Sequence, residues 1–203
     1  MNVKISSNHE FLAGFWIPDE LEFNHYTVNI DMLTATNDVL EQNIAFLRLR
    51  HILEVTLSNV IFVAASDTDR IELFESADLR VAVTPTEPVD QIIGMILHAK
   101  LGAVLDGRIQ IRSIKLSSVK GDGIVYEHDD AEYNPLMSET GWWTNNDPDD
   151  IKTVGAVDVT SITSARRWRE LELQWPISSN DAESTSEDAG NVVVFGNFHK
   201  DES

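Results

Sequence analysis

The sequence predicts an α+β protein with a ferredoxin-like split βαβ core, two helices on one face of an antiparallel sheet, followed by a β-rich C-terminal extension. Three observations predict it. Residues 25–33 alternate apolar and polar side chains, the signature of a half-buried strand. Two long stretches, 38–57 and 88–105, repeat apolar residues at three- and four-residue steps, as helices do. Between and after them lie short β-branched runs, so residues 25–117 read strand, helix, strand, strand, helix, strand, the order of that plan.

In the first strand Tyr26, Val28, Ile30 and Met32 share a face, opposite His25, Thr27, Asn29 and Asp31. Asn37 offers a cap to the first helix, and Asp38 and Glu41 place acids in its opening turn, where they suit the positive end of the helix dipole. Leu40, Ile44, Leu47, Leu49, Ile52 and Leu53 form its apolar stripe, on which His51 is read as a satisfied core or boundary residue. Val60–Ala65 and Arg80–Thr84 are the middle strands, with SDTDRIELFESAD between them as a loop or a short helix. Pro85 and Pro88 punctuate the chain before the second helix, which is apolar almost all round and must be covered on most sides. Asp106-Gly107 ends it, and RIQIRSIKLS alternates again as the fourth strand.

Residues 1–120 are accordingly read as the core, and 121–203 as an acidic β-rich extension packed on it. In the extension Gly121-Asp122-Gly123 makes a hairpin turn into IVYEH. Val154–Thr163, Trp168–Trp175 and Val192–Phe198 read as strands, and 129–150 and 178–190 as flexible solvated loops.

Composition narrows the function classes. The chain of 203 residues has no cysteine, 15 Lys and Arg against 34 Asp and Glu, and a formal charge of −19. Disulfides, thiolate nucleophiles and zinc–cysteine sites are thereby excluded. No apolar stretch approaches the ~20 residues of a membrane span, and the first ten residues lack a secretory h-region. A cytoplasmic location without membrane contact is expected. Of the charge, −13 falls in residues 121–203, and 121–150 hold nine acids without one Lys or Arg. Such a surface disfavours duplex nucleic acid, which needs a basic footprint, and suits a basic protein partner or a second copy of the chain.

Within the acidic stretch the candidate partner-binding residues are Trp142 and Trp143 with Asp129, Asp130, Asp147, Asp149 and Asp150. Tryptophan dominates interaction hot spots, and the alternative for this pair is a plug that pins a long loop to the core. Glu127, His128 and Asp129 are the candidate metal ligands, so a divalent cation is the one cofactor left open. Asn145–Asp150 has the acid density of a calcium loop without its glycine or bidentate glutamate.

The segment VIFVAASDTDRI, residues 60–71, resembles the opening motif of haloacid-dehalogenase-type phosphotransferases: a hydrophobic strand, then Asp67-x-Asp69. That resemblance implies a nucleophilic aspartate and magnesium. The few residues before the next strand read as too short for the crossover helix such a fold requires, which assigns Asp67 instead to capping the following segment. The leading expectation is a non-enzymatic acidic interaction or regulatory protein, such as a nucleic-acid mimic or phage accessory protein. The alternatives are a metal-dependent phosphoryl-transfer or hydrolytic enzyme using Asp67, Asp69, Glu127, His128 and Asp129, and a homo-oligomeric viral subunit.

Overall fold

Fourteen residues that sequence periodicity leaves unassigned, Lys4–Ile17, form the strand on which the sheet is organised. The computed structural model describes residues 3–18, 20–129, 140–155 and 161–176. Strand β1 (Lys4–Ile17) forms a long antiparallel hairpin with β2 (Glu20–Thr34). Then follow α1 (Val39–His51), extended by a π-helical turn at Ile52–Thr56, β3 (Ile61–Ala64), α2 (Thr68–Ser76) and β4 (Val81–Thr84). Helix α3 (Asp90–Leu105), β5 (Ile109–Ser118), β6 (Val125–Asp129) and α4 (Ser161–Glu170) complete the order.

The six strands form one mixed sheet in the order β4-β3-β1-β2-β5-β6. Strands β1, β3 and β4 run parallel to one another, whereas β2, β5 and β6 join by antiparallel pairing. This corrects the ferredoxin-like expectation of two helices on four antiparallel strands. Two features overturn it. β1 sits in the middle of the sheet between β2 and β3, and β3 and β4 are parallel strands joined through α2. The connection read as too short for a crossover therefore is one. A strand of four residues spans little length, and nine residues of helix suffice to return the chain to the start of the next.

Helices cover the two faces unequally. Phe11, Ala13, Tyr26, Val28, Ile30, Met32, Ile114 and Leu116 turn to the face holding α1 and α3, and their cluster forms the main core. On the other face α2 lies over β3 and β4, where Phe74 packs with Ile61, Val63, Val81 and Val83, and Trp16, Leu21 and Ile71 close the edge. All four residues of β3 and of β4 are consequently buried, as expected for parallel strands covered on both sides. Across the rest of that face Asn8, Glu10, Asn29, Asp31, Gln110 and Arg112 stand exposed.

The cap of α1 is Asp38, which accepts from the Leu40 and Glu41 amides, and not Asn37 as the sequence suggested. Other local readings hold. Asp106 and Gly107 take the left-handed conformation after α3, with φ of 49° and 73°, and Asp122 and Gly123 turn the chain into β6. Gly94 of α3 is dictated by close approach: a Cβ there would lie 2.6 Å from Nε2 of His128 on β6.

The β-rich extension is also corrected. The helix at residues 161–170 takes in the end of the expected strand Val154–Thr163 and the start of the expected strand Trp168–Trp175, residues 156–160 lying outside the described residues. The chain beyond passes through a turn with Glu172 at φ 59°. Val154 makes only an isolated bridge to Gly141. Trp168, assigned to a strand, is instead the buried anchor of α4, edge-on to His51 at 5.9 Å. The Arg48 guanidinium lies 4.4 Å from the Trp168 ring and 3.9 Å from that of Trp175, and donates to the carbonyls of Leu173 and Val104. The expected loop 178–190 and strand Val192–Phe198 lie outside the described residues.

Candidate functional site

Three parallel strands, β1, β3 and β4, end on the same side of the sheet, and a crevice of about 640 Å³ opens there. Each wall follows from local sequence. β1 ends in Phe15-Trp16-Ile17, and the alternation that sends Phe15 to the main core sends Trp16 to the α2 side. There its ring meets Phe74 edge-on at 5.7 Å. After β3 the chain turns at Ser66, and Asp67 caps α2 by accepting from the Arg70 amide at 3.3 Å. The second Asp67 oxygen accepts from the Trp16 indole N–H at 2.8 Å, so one carboxylate ties the end of β1 to the start of α2. Arg70 lies over the Trp16 ring at 4.6 Å, within cation–π range. Asp69 enters from the first turn of α2 and Glu87 from the connection between β4 and α3. Three carboxylates and one guanidinium thus line the crevice. Asp67 and Asp69, paired in the sequence by their spacing, do face one cavity; the cap assigned to Asp67 is present as well.

The tryptophan pair is elsewhere. Trp142 and Trp143 start a 3₁₀ turn at residues 142–144 and are 0% and 1% exposed. Trp142 donates its indole N–H to the Val83 carbonyl at 2.7 Å, and its ring meets Trp143 edge-on at 6.0 Å. They are the plug that fastens the loop to α3 and β4, and present no surface to a partner. Gly141 is required beside them, since a Cβ would lie 2.5 Å from the Trp143 ring.

The loop that follows is held by a buried cation. Lys100 of α3 is 0% exposed. Its ammonium donates to the carbonyls of Trp142 at 3.0 Å, Asn145 at 3.2 Å and Asp147 at 2.6 Å, and to the Asn145 side-chain oxygen at 3.1 Å. The segment with the acid density of a calcium loop therefore wraps an ammonium ion belonging to the chain itself. Burial lowers the Lys100 pKa to about 8, against the upward pull of Asp150, Asp147 and Asp149. Asp147 is also buried, 2% exposed. It accepts from Arg167 at 2.6 Å and from the amides of Asp149 and Asp150. For Asp150 partial burial acts upward, but hydrogen bonds from the Lys152 amide, the Asn145 side chain and Thr153 outweigh it and hold the pKa below its ordinary value. Of the acids expected at a partner surface, Asp147 is neutralised internally, Asp149 and Asp129 are exposed, and Asp130 lies outside the described residues.

The metal reading of Glu127, His128 and Asp129 meets the geometry of a strand. Successive side chains of β6 alternate faces. Glu127 turns outward and pairs with Lys115 at 3.4 Å, while His128 turns inward against Gly94 of α3. The imidazole and the carboxylates are thus on opposite sides of the sheet. Among the described residues no group of three or more histidine, aspartate and glutamate side chains is arranged to hold a metal ion, and no helix is long and apolar enough to cross a membrane.

Sequence reasoning missed Trp16, Arg70 and Lys100. Lys100 carried a signal: it is the one Lys or Arg in DQIIGMILHAKLGAVL, a helix that is otherwise largely apolar. Trp16 carried none, because its strand had gone unrecognised.

No protein-family model matches the sequence, and no curated protein matches it. Solved structures share its outline distantly. An uncharacterized protein of Wolinella succinogenes matches with a TM-score of 0.44 at 12% identity, over 64% of this chain and 99% of that one. The 6-pyruvoyl tetrahydropterin synthase of Caenorhabditis elegans matches with 0.42 at 10% identity, over 64% and 97%. That of Plasmodium vivax matches with 0.43 at 9% identity, over 63% and 97%. At such values the likeness carries no argument about activity or ligand.

Proposed function

We propose that this protein is a non-enzymatic interaction protein that captures a basic polypeptide through the acidic side of α2. One observation carries the reading. Asp69, Glu72, Asp78, Glu87 and Asp149 are exposed and make no ion pair among the described residues. They lie along one element: Asp69 and Glu87 at the crevice by the start of α2, Glu72 on the helix, Asp78 and Asp149 at its far end. The cations nearby are engaged elsewhere: Lys152 with Glu75, Arg80 with the backbone carbonyls of Val55, Thr56 and Ser58, and Arg70 over the Trp16 ring. Unpaired like charges along one helix present a field that attracts a cationic chain and raises its association rate.

The test compares two variants that remove five carboxylates each. One carries Asp69→Asn, Glu72→Gln, Asp78→Asn, Glu87→Gln and Asp149→Asn; the control carries Glu10→Gln, Glu20→Gln, Asp31→Asn, Asp122→Asn and Glu127→Gln. Binding of fluorescein-labelled decalysine is measured against salt concentration. The first variant loses about tenfold in affinity and flattens the salt dependence, at roughly 0.3 kcal/mol for each exposed charge; the control changes by less than half as much on a logarithmic scale. Equal losses in the two variants, or decalysine binding that salt does not weaken, would overturn the proposal.

A further inference from the structure

The crevice at the carboxyl ends of β1, β3 and β4 stands at a topological switch. From β3 the chain leaves towards α2 on one face of the sheet; from β4 it leaves towards α3 on the other. Where neighbouring parallel strands send their connections to opposite faces, the two loops part and leave a cleft between the strand ends, the usual place for a ligand in sheets of this kind. Glu87 comes from one of these loops, Ser66 and Asp67 from the other, and Trp16 supplies the wall at the end of β1.

The lining selects the ligand. Asp67, Asp69 and Glu87 outnumber Arg70, so a phosphate or carboxylate would meet net repulsion despite the helix start. An organic cation meets exposed carboxylates there; the Trp16 ring already carries the chain's own Arg70 guanidinium at 4.6 Å, so a guest's place is beside that pair and not on the ring face. Asp67 is committed to the Trp16 N–H and the Arg70 amide, which leaves Asp69 and Glu87 as the carboxylates available to a guest. We infer that this crevice is the specificity pocket for a single arginine or lysine side chain of the basic partner, held by Asp69 and Glu87 beside the Arg70–Trp16 pair. The inference rests on the acidic-capture reading above and narrows it from a surface to one pocket.

Its test is a titration of the ¹⁵N-labelled protein with N-acetyl-arginine amide, with N-acetyl-lysine amide and N-acetyl-glutamine amide alongside, following the indole N–H resonances. The Trp16 resonance is assigned as the one lost in Trp16→Phe. It shifts saturably with either cationic amide, not with the glutamine amide, and the indoles of Trp142 and Trp143 stay still. Asp69→Asn combined with Glu87→Gln weakens that binding about threefold, and weakens decalysine binding more than Asp78→Asn combined with Asp149→Asn does. No Trp16 shift with either cationic amide, or an equal shift with the glutamine amide, would overturn the pocket. Equal weakening of decalysine by the two double variants would overturn it too, and would leave the acidic surface standing. Failure of decalysine to bind the unaltered protein would remove the surface itself. Because the titration uses the unaltered chain, a folding defect in any variant does not obscure the result.

Discussion

Replacing Lys100 by methionine isolates what the buried ammonium does. Methionine keeps most of the aliphatic stem and adds no polar group, so the change is the loss of one charged donor. Four acceptors lose it: the carbonyls of Trp142, Asn145 and Asp147, and the Asn145 side-chain oxygen. A buried acceptor without its donor costs about 1–3 kcal/mol, which puts the gross penalty between about 4 and 12 kcal/mol before the loop relaxes. Against this stands the relief of not burying a charge. A fall in pKa from 10.5 to about 8 corresponds to about 3 kcal/mol. A net loss of about 3 kcal/mol is expected. Urea unfolding at pH 7, followed by tryptophan fluorescence, measures it as a lower midpoint at unchanged slope. A second readout comes from pH. Because the folded pKa lies below the unfolded one, the contribution of Lys100 is fully present above pH 10.5 and is lost as pH falls through 8. The unaltered protein therefore gains stability from this group between pH 8 and 10.5, and Lys100→Met lacks that component. A variant as stable as the original at pH 7 would refute the claim that this ammonium organises residues 142–147.

Three other outcomes are expected. Gly94→Ala places a Cβ 2.6 Å from Nε2 of His128 and 3.5 Å from Cβ of Leu116, so it destabilises by about 1–2 kcal/mol in urea even though alanine is the better helix former. Asp67→Ala removes the α2 cap and the acceptor of the Trp16 indole, a loss of about 2 kcal/mol, most of which Asp67→Asn restores; equal loss in both would deny the cap. Asp150 has a lowered pKa, so its contribution is present above the ordinary carboxylate range and lost as pH falls through the folded value. Asp150→Asn accordingly flattens stability against pH below about 4, read as melting temperature across acid buffers.

How much of this was legible depends on where each residue finds its counterpart. α3, β3, β4 and β5 declared themselves because their apolar spacing is set by burial against a single face or on all sides; α1 was found from a stripe of which Leu40 and Leu47 prove exposed, whereas Arg48 is buried. β1 stayed hidden because the residues it turns inward include Ser7 and His9, partly buried at its open end, which breaks the apolar alternation. Helix α2 buries only Phe74 fully, too little to mark a stripe, and without it the parallel pairing of β3 and β4 could not be read. In α4 the alternation of Leu171, Leu173 and Trp175 imitates a strand beyond the helix end, while the residue that is buried, Trp168, lies within the helix. The burial of Trp142 and Trp143 was legible as a plug, but the sequence could not decide between that and an exposed anchor. Their flanks are acidic and imply solvent, and the cations that make burial tolerable, Lys100 and Arg167, sit far away in sequence. Tertiary charge pairing leaves no local trace.

Capture of a basic chain by the α2 side is tested most directly by the map of backbone amide shifts on addition of decalysine. The predicted result is perturbation concentrated on residues 66–78, Glu87 and Asp149, saturable and weakened by salt. Perturbation confined to β6 or to residues 141–147, or spread evenly over the described chain, would contradict it.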